Sequence, residues 1–159
     1  MNVSVFGLGY VGSVTCGCLA ADGMSVVGVD ANPQKVAALA AGQSPIVEER
    51  IGDMIAAAVA AGRLRATDDV EAAVVGTDVS IVSVGTPSHA NGSLDLTAVQ
   101  RVCEQIGAAL RHKADRHLVV IRSTVLPGTV RSLVVPTLER TSRSTIHATR
   151  TRSSFASTR

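Results

Sequence analysis

Three glycines and one acid carry the most legible chemistry in this chain. Residues 3–12 read Val-Ser-Val-Phe-Gly-Leu-Gly-Tyr-Val-Gly, and the apolar run Val-Val-Gly-Val ends in Asp30, 18 residues beyond Gly12. In such a G-x-G-x-x-G pattern Gly7 permits the tight turn, Gly9 lets a pyrophosphate approach the backbone, and Gly12 lets the next helix pack on the sheet. Helix-start N–H groups, expected near Tyr10 and Val11 at the positive end of the helix dipole, favour an anion. The Asp30 carboxylate suits ribose hydroxyls, whereas a 2′-phosphate would meet like charge there. The expected cofactor is therefore NAD rather than NADP. Glycine spacing alone is common. The apolar strand before it (Val3, Val5, Phe6), the helix behind it and the acid beyond make it specific.

These residues need a scaffold, and the rest of the chain reads as one. Apolar runs alternate with helical patterns, as a βαβ series requires. Strands are expected at about 2–6, 25–29, 64–66, 78–84 and 117–121. Helices are expected at about 10–22, from Asn32-Pro33 to Gly42, 49–61, from an Asp68 cap to Val75, from Asp95, and 129–139. Asn before Pro is a strong start signal. Residues 44–48, Ser-Pro-Ile-Val-Glu, read as an extended loop and Asn91-Gly92 as a turn. The helix after Asp95 has the clearest apolar stripe: Leu96, Val99, Cys103, Ile106 and Leu110. Pro136 sits awkwardly in the last helix. Five strands with intervening helices predict an α/β, doubly wound, mostly parallel sheet of Rossmann type. Ligands are then expected beyond the carboxyl ends of the strands.

Composition agrees. Hydrophobic residues are 46% of the 159, nearly all aliphatic, with two Phe, one Tyr and no Trp, which suits a buried parallel sheet. No run is long and apolar enough to span a bilayer, and the first basic residue is Lys35, so neither a membrane nor a secretory route is expected. The expected location is the cytoplasm. Cys16, Cys18 and Cys103 lack metal-ligand spacing and read as small buried hydrophobes. All 13 acids but only 11 of the 15 Lys/Arg lie in residues 1–140. The basic balance thus comes from residues 141–159, where 14 of 19 positions are Ser, Thr or Arg, and gives little support to nucleic-acid binding. The expected division is a NAD-binding domain over 1–140 and a disordered Ser/Thr/Arg-rich tail over 141–159.

Four segments together resemble the NAD-binding domain of the UDP-glucose/GDP-mannose dehydrogenase family. They are Phe6-Gly-Leu-Gly-Tyr-Val-Gly12, Gly42-Gln-Ser-Pro-Ile-Val-Glu48, Val84-Gly-Thr-Pro-Ser88 with Asn91-Gly-Ser-Leu-Asp-Leu96, and Arg122-Ser-Thr-Val-Leu-Pro-Gly-Thr-Val130. The last two are more similar to the GDP-mannose 6-dehydrogenases of alginate synthesis. UDP-glucose enzymes tend to read Val-Pro-Thr-Pro and Ser-Thr-Val-Pro-Val-Gly-Thr there. The resemblance implies NAD contacts at Tyr10 and Val11 (pyrophosphate), Asp30 and Lys35 (adenosine ribose), and Thr86 and Thr124 at later strand ends. Lys35 also reads as an ordinary surface lysine, and either threonine as a helix cap.

The resemblance further implies oxidation of a sugar-nucleotide primary alcohol to a carboxylate in two NAD-dependent steps, through an intermediate held on cysteine. That family cysteine follows a Gly-Gly-Ser run, which this chain does not contain, and Cys16, Cys18 and Cys103 stand in other segments. No catalytic residue is therefore expected here. The sixth strand, the dimer-forming central helix and the sugar-nucleotide domain of the family are likewise expected to be missing, as in a truncated enzyme. Glu49-Arg50 replaces the family's usual Pro-Gly. The expected function is the cofactor-binding portion of a nucleotide-sugar dehydrogenase, with a non-catalytic interaction module as the alternative.

Overall fold

The computed structural model describes residues 1–44 and 49–147, with the side chains of Glu49 and Arg50 outside the description. Five strands, β1 (Asn2–Phe6), β2 (Ser25–Val29), β3 (Leu64–Thr67), β4 (Val79–Val82) and β5 (Leu118–Ile121), form one sheet in the order β3-β2-β1-β4-β5. Every pairing is parallel, with Val5 beside both Gly28 and Ile81. The chain builds outward from β1 to β3, then crosses to the other side of β1. That reversal leaves a crevice at the carboxyl ends of β1 and β4, where open α/β sheets hold ligands.

Strand alternation sorts the core into two layers, because successive side chains point to opposite faces. Val3, Val5, Val26 and Leu64 pack against Cys16 and Ala20 of α1 (Tyr10–Ala21), Leu39 of α2 (Pro33–Ala40), and Ile55 and Ala58 of α3 (Glu49–Ala60). Phe6, Val27, Val29 and Val82 pack against Ala73 and Val74 of α4 (Val70–Val75) and Val99, Cys103 and Ile106 of α5 (Thr97–Leu110). Val134 and Leu138, at the last helix, join this second layer.

Local chemistry explains most boundaries. Asn32 caps α2 by accepting from Gln34 N–H at 2.9 Å, with Pro33 in the first turn. Gly42 and Gly62, with φ of +74° and +68°, follow α2 and α3 in the left-handed conformation that ends helices.

Several boundaries differ from the sequence expectation. The cap of α4 is Asp69, which accepts from Ala72 N–H at 3.0 Å, and not Asp68. β3 runs through Thr67 in register with Val29, so the helix starts one residue later than a cap at 68 would require. β4 ends at Val82 rather than Val84. Its neighbours turn away at Gly7 and Arg122, and the last ladder bonds fall at Ser83 N–H to Phe6 O and Arg122 N–H to Val82 O. His117 stands just before β5. The last helix begins as a π-helical turn, Val130–Val134, and continues as α6, Val135–Ser142. Pro136 falls in the first turn of α6, where a missing N–H is tolerated.

α6 thus runs two residues past the composition change at 140. It crosses α5 closely: a Cβ on Gly107 would lie 1.9 Å from Thr141 Oγ1. Arg143 ends the helix at φ 60°, and Ile146 packs against the second core layer. The loop expected at 44–48 falls largely outside the described residues, as does the expected tail from 148 onward. Cys16 and Cys103 are buried, as expected of small hydrophobes, whereas Cys18 is exposed. α1 buries the stripe Gly12, Cys16 and Ala20, and position 18 falls on its opposite face.

Candidate functional site

The turn from β1 into α1 is pinned to the end of β2. Gly7, at φ +97°, donates its N–H to Val29 O at 2.8 Å, and Leu8 donates to Asp30 Oδ2 at 2.6 Å. The three glycines have different surroundings. A Cβ on Gly7 would sit 2.9 Å from Ser83 O, and one on Gly12 would sit 1.7 Å from Gly7 O. Both positions are closed by backbone. A Cβ on Gly9 would meet nothing within 4 Å, so the space before α1 is open to a ligand. Gly9 gives α1 no side-chain cap, and no acid stands in its first turn. The helix-start donors and dipole are therefore not neutralised by a cap or an acid from the helix itself, as a pyrophosphate cradle requires.

Asp30 is the hub beside that cradle. Its side chain is only 13% exposed; Oδ1 accepts from Asn32 N–H at 2.8 Å, and Lys35 Nζ stands 3.5 Å from Oδ2. A carboxylate offers about four acceptor positions, so capacity remains for ribose hydroxyls. Gly7 and Asp30 line a crevice of about 520 Å³ together with Ala31, Asp68, Val70, Val84, Pro87, Arg101, Val102 and Gln105. Its size falls within the ~300–1,000 Å³ of small-molecule sites, and its apolar lining with few polar groups is typical of them. The residues present fit the adenosine half of a dinucleotide.

The remaining expected residues are distributed around this centre. Tyr10 and Val11 occupy the first turn of α1 and are 58% and 44% exposed. Lys35 is held beside Asp30. Thr86 and Thr124 do not line the crevice; the Thr86 hydroxyl donates to Thr124 O at 2.8 Å, joining the loops after β4 and β5. Ser123 reinforces that joint by donating to Val84 O at 2.7 Å. Asp68, Arg101 and Gln105 were not anticipated as lining. Arg101 and Gln105 are four apart on α5 and so share a face beside Val102, a signal that the sequence did hold.

Neither buried cysteine offers an activated thiol in this arrangement. Burial pushes the Cys16 thiol up to about 12 and that of Cys103 up to about 11, the latter with Glu104 adding to the effect. Among the described residues no group of His, Cys, Asp and Glu is placed to hold a metal ion. No helix there is long and apolar enough to cross a membrane.

The NAD binding domain model of the UDP-glucose/GDP-mannose dehydrogenase family matches residues 1–155. The chain belongs to that family. It is 52% identical over 139 residues to the GDP-mannose 6-dehydrogenase of Azotobacter vinelandii and 39% identical over 142 residues to the UDP-glucose 6-dehydrogenase of Haloferax volcanii. These alignments cover 87% and 89% of this chain but 32% and 33% of those proteins, so the chain spans about a third of their length. The fold superposes on GDP-mannose dehydrogenase of Pseudomonas aeruginosa, solved as a ternary complex, with a TM-score of 0.90 and 48% identity. It superposes on UDP-glucose dehydrogenase of Pyrobaculum islandicum with a TM-score of 0.86 and 39% identity. Each structural match covers 91% of this chain and 33% of the other. This chain is thus an NAD-binding Rossmann-type domain of the family.

Proposed function

We propose that this chain is the cofactor-holding part of a GDP-mannose 6-dehydrogenase. The whole protein would oxidise GDP-mannose to GDP-mannuronate with two NAD, feeding synthesis of an alginate-type polysaccharide. The observation that carries the substrate choice is the identity gap. GDP-mannose relatives stand at 49–52%, against 39% and 42% for two UDP-glucose relatives, which remain the alternative. When bound, NAD supplies the hydride acceptor. The residues of this chain hold it: the α1 start with Gly7, Gly9, Tyr10, Val11 and Gly12 takes the pyrophosphate, and Asp30 takes the ribose with Lys35 beside it. Thr86 and Thr124 serve the nicotinamide end, their loops held together by the 2.8 Å bond between them. None of the three cysteines serves as the nucleophile. Their free state supports a reducing, cytoplasmic setting.

Calorimetric titration with NAD and NADP tests the cofactor reading, with NAD expected to bind and NADP to bind far more weakly. In thermal melts, NAD at 100 times its dissociation constant should add about 2.7 kcal/mol. The chain alone, given GDP-mannose and NAD, should make no NADH; sustained turnover overturns the non-catalytic assignment.

One observation favours a second reading, an interaction module. β5 is an edge strand whose Leu118 and Val120 are exposed, the kind of edge on which another strand can pair. Melts insensitive to NAD, with concentration-dependent self-association, would favour it.

A further inference from the structure

Where the cap of α4 falls has a consequence for the crevice. Because Asp69 closes the helix, the neighbouring Asp68 carboxylate is not used as a cap and lines the crevice instead. Among the described residues it has no hydrogen-bond or ion-pair partner, and the same holds for the Arg101 guanidinium and the Gln105 amide, which line the crevice from α5. The half-buried side chains of Val70 and Val102 line the same crevice. An apolar crevice with a few uncommitted polar groups suits a nucleobase. Asp30, at the end of β2, sets the ribose position, and Asp68 lies just beyond the end of the adjacent strand, β3. The part of the crevice that Asp68 lines is therefore next to the ribose position, where the base on that ribose is expected.

We propose that Asp68 determines base specificity by accepting a hydrogen bond from the exocyclic 6-amino group of adenine. An ionised carboxylate only accepts, so it favours a donor at the 6 position and opposes a 6-oxo group. The Arg101 guanidinium, a planar cation able to stack on an aromatic face, lines the same crevice. This assignment rests on the cofactor reading above and deepens it.

The test compares NAD with nicotinamide hypoxanthine dinucleotide, in which a 6-oxo group replaces the 6-amino group, by calorimetric titration of the chain and of Asp68→Asn and Asp68→Ala. Both substitutions lie at an exposed position, and circular dichroism checks that each variant folds. The unaltered chain should prefer NAD on the order of tenfold, as expected for a hydrogen bond to a charged group. Asp68→Ala should lose that preference. Asp68→Asn, whose amide can also donate, should shift the ratio toward the hypoxanthine dinucleotide. Equal affinities in the unaltered chain, or an unchanged ratio in both variants, overturn the assignment while leaving NAD binding intact. Failure of both dinucleotides to bind the unaltered chain overturns the cofactor reading and this inference together.

Discussion

The two ends of the sheet treat polar groups in opposite ways. At the carboxyl end, Asp68, Arg101 and Gln105 face the crevice without a partner among the described residues, and Gly9 borders open space. At the amino end a chain of buried and half-buried polar side chains is matched internally. Ser4 Oγ lies 3.0 Å from Thr77 Oγ1 and 2.8 Å from Ser80 Oγ, and Ser80 Oγ lies 2.8 Å from His117 Nε2. His117 Nδ1 is 3.0 Å from Thr77 O, which can only accept, so the ring carries its proton on Nδ1 and Nε2 accepts from Ser80. Lys113 Nζ donates to Val74, Val75 and Thr77 carbonyls at 3.3, 2.9 and 2.6 Å, capping the C-terminal end of α4. The buried polar groups of one end answer each other. The crevice groups of the other are left for a ligand to answer.

The largest test of that contrast is within the glycine turn itself. Gly12→Ala should destabilise the fold by about 3 kcal/mol or more in urea melts, because its Cβ would fall inside the contact distance of Gly7 O. Gly9→Ala should leave the melt within about 0.5 kcal/mol and yet weaken NAD binding by titration, since the added methyl occupies only ligand space. Equal stability losses in the two variants would erase the distinction between closed and open positions.

Asp30→Asn comes next. It should cut NAD affinity on the order of tenfold, narrow the discrimination against NADP and lower stability by about 1–2 kcal/mol in melts, because one of the two oxygens that accept from Leu8 and Asn32 N–H becomes a donor. At the other end, Lys113→Met should lower stability by about 1–2 kcal/mol through the three unanswered carbonyls, with the NAD dissociation constant unchanged.

The smallest effect is a pH slope. Burial first, then the Lys113 charge, holds the His117 ring below its ordinary 6.5, against a weaker pull from the Thr77 carbonyl and Asp78. The unfolded chain therefore takes up this proton first as pH falls. Stability from the neutral ring is complete above about 6.5 and declines below it, toward the lowered folded value. Melts from pH 8 to pH 5 should show this acid-side loss, and His117→Gln should flatten it.

Much of the fold was legible because its signals are local. The strand–glycine–helix–acid series, the Asn32-Pro33 start and the stripe of α5 each depend on neighbours within a few residues, where propensity and periodicity act. The candidate site was legible at Gly7, Gly9, Gly12 and Asp30 for the same reason. It was not legible at Asp68, whose role depends on β3 holding register with Val29 through Thr67 and so passing the cap to Asp69. Nor did local pattern foresee that Thr86 and Thr124 would bond across 38 positions.

By itself, the amino-acid order determined which segments are strands and helices, that the sheet is parallel, and where a dinucleotide turn begins. These follow from side-chain period, backbone freedom at glycine and capping chemistry. Only tertiary structure decided which polar groups are satisfied. Ser4 meets Thr77 and Ser80 across 73 and 76 residues, and whether a carboxylate or a guanidinium finds a partner depends on such distant encounters. Hydrogen bonding is directional and short-ranged, so the polar groups left over for a ligand emerge only once the chain has folded.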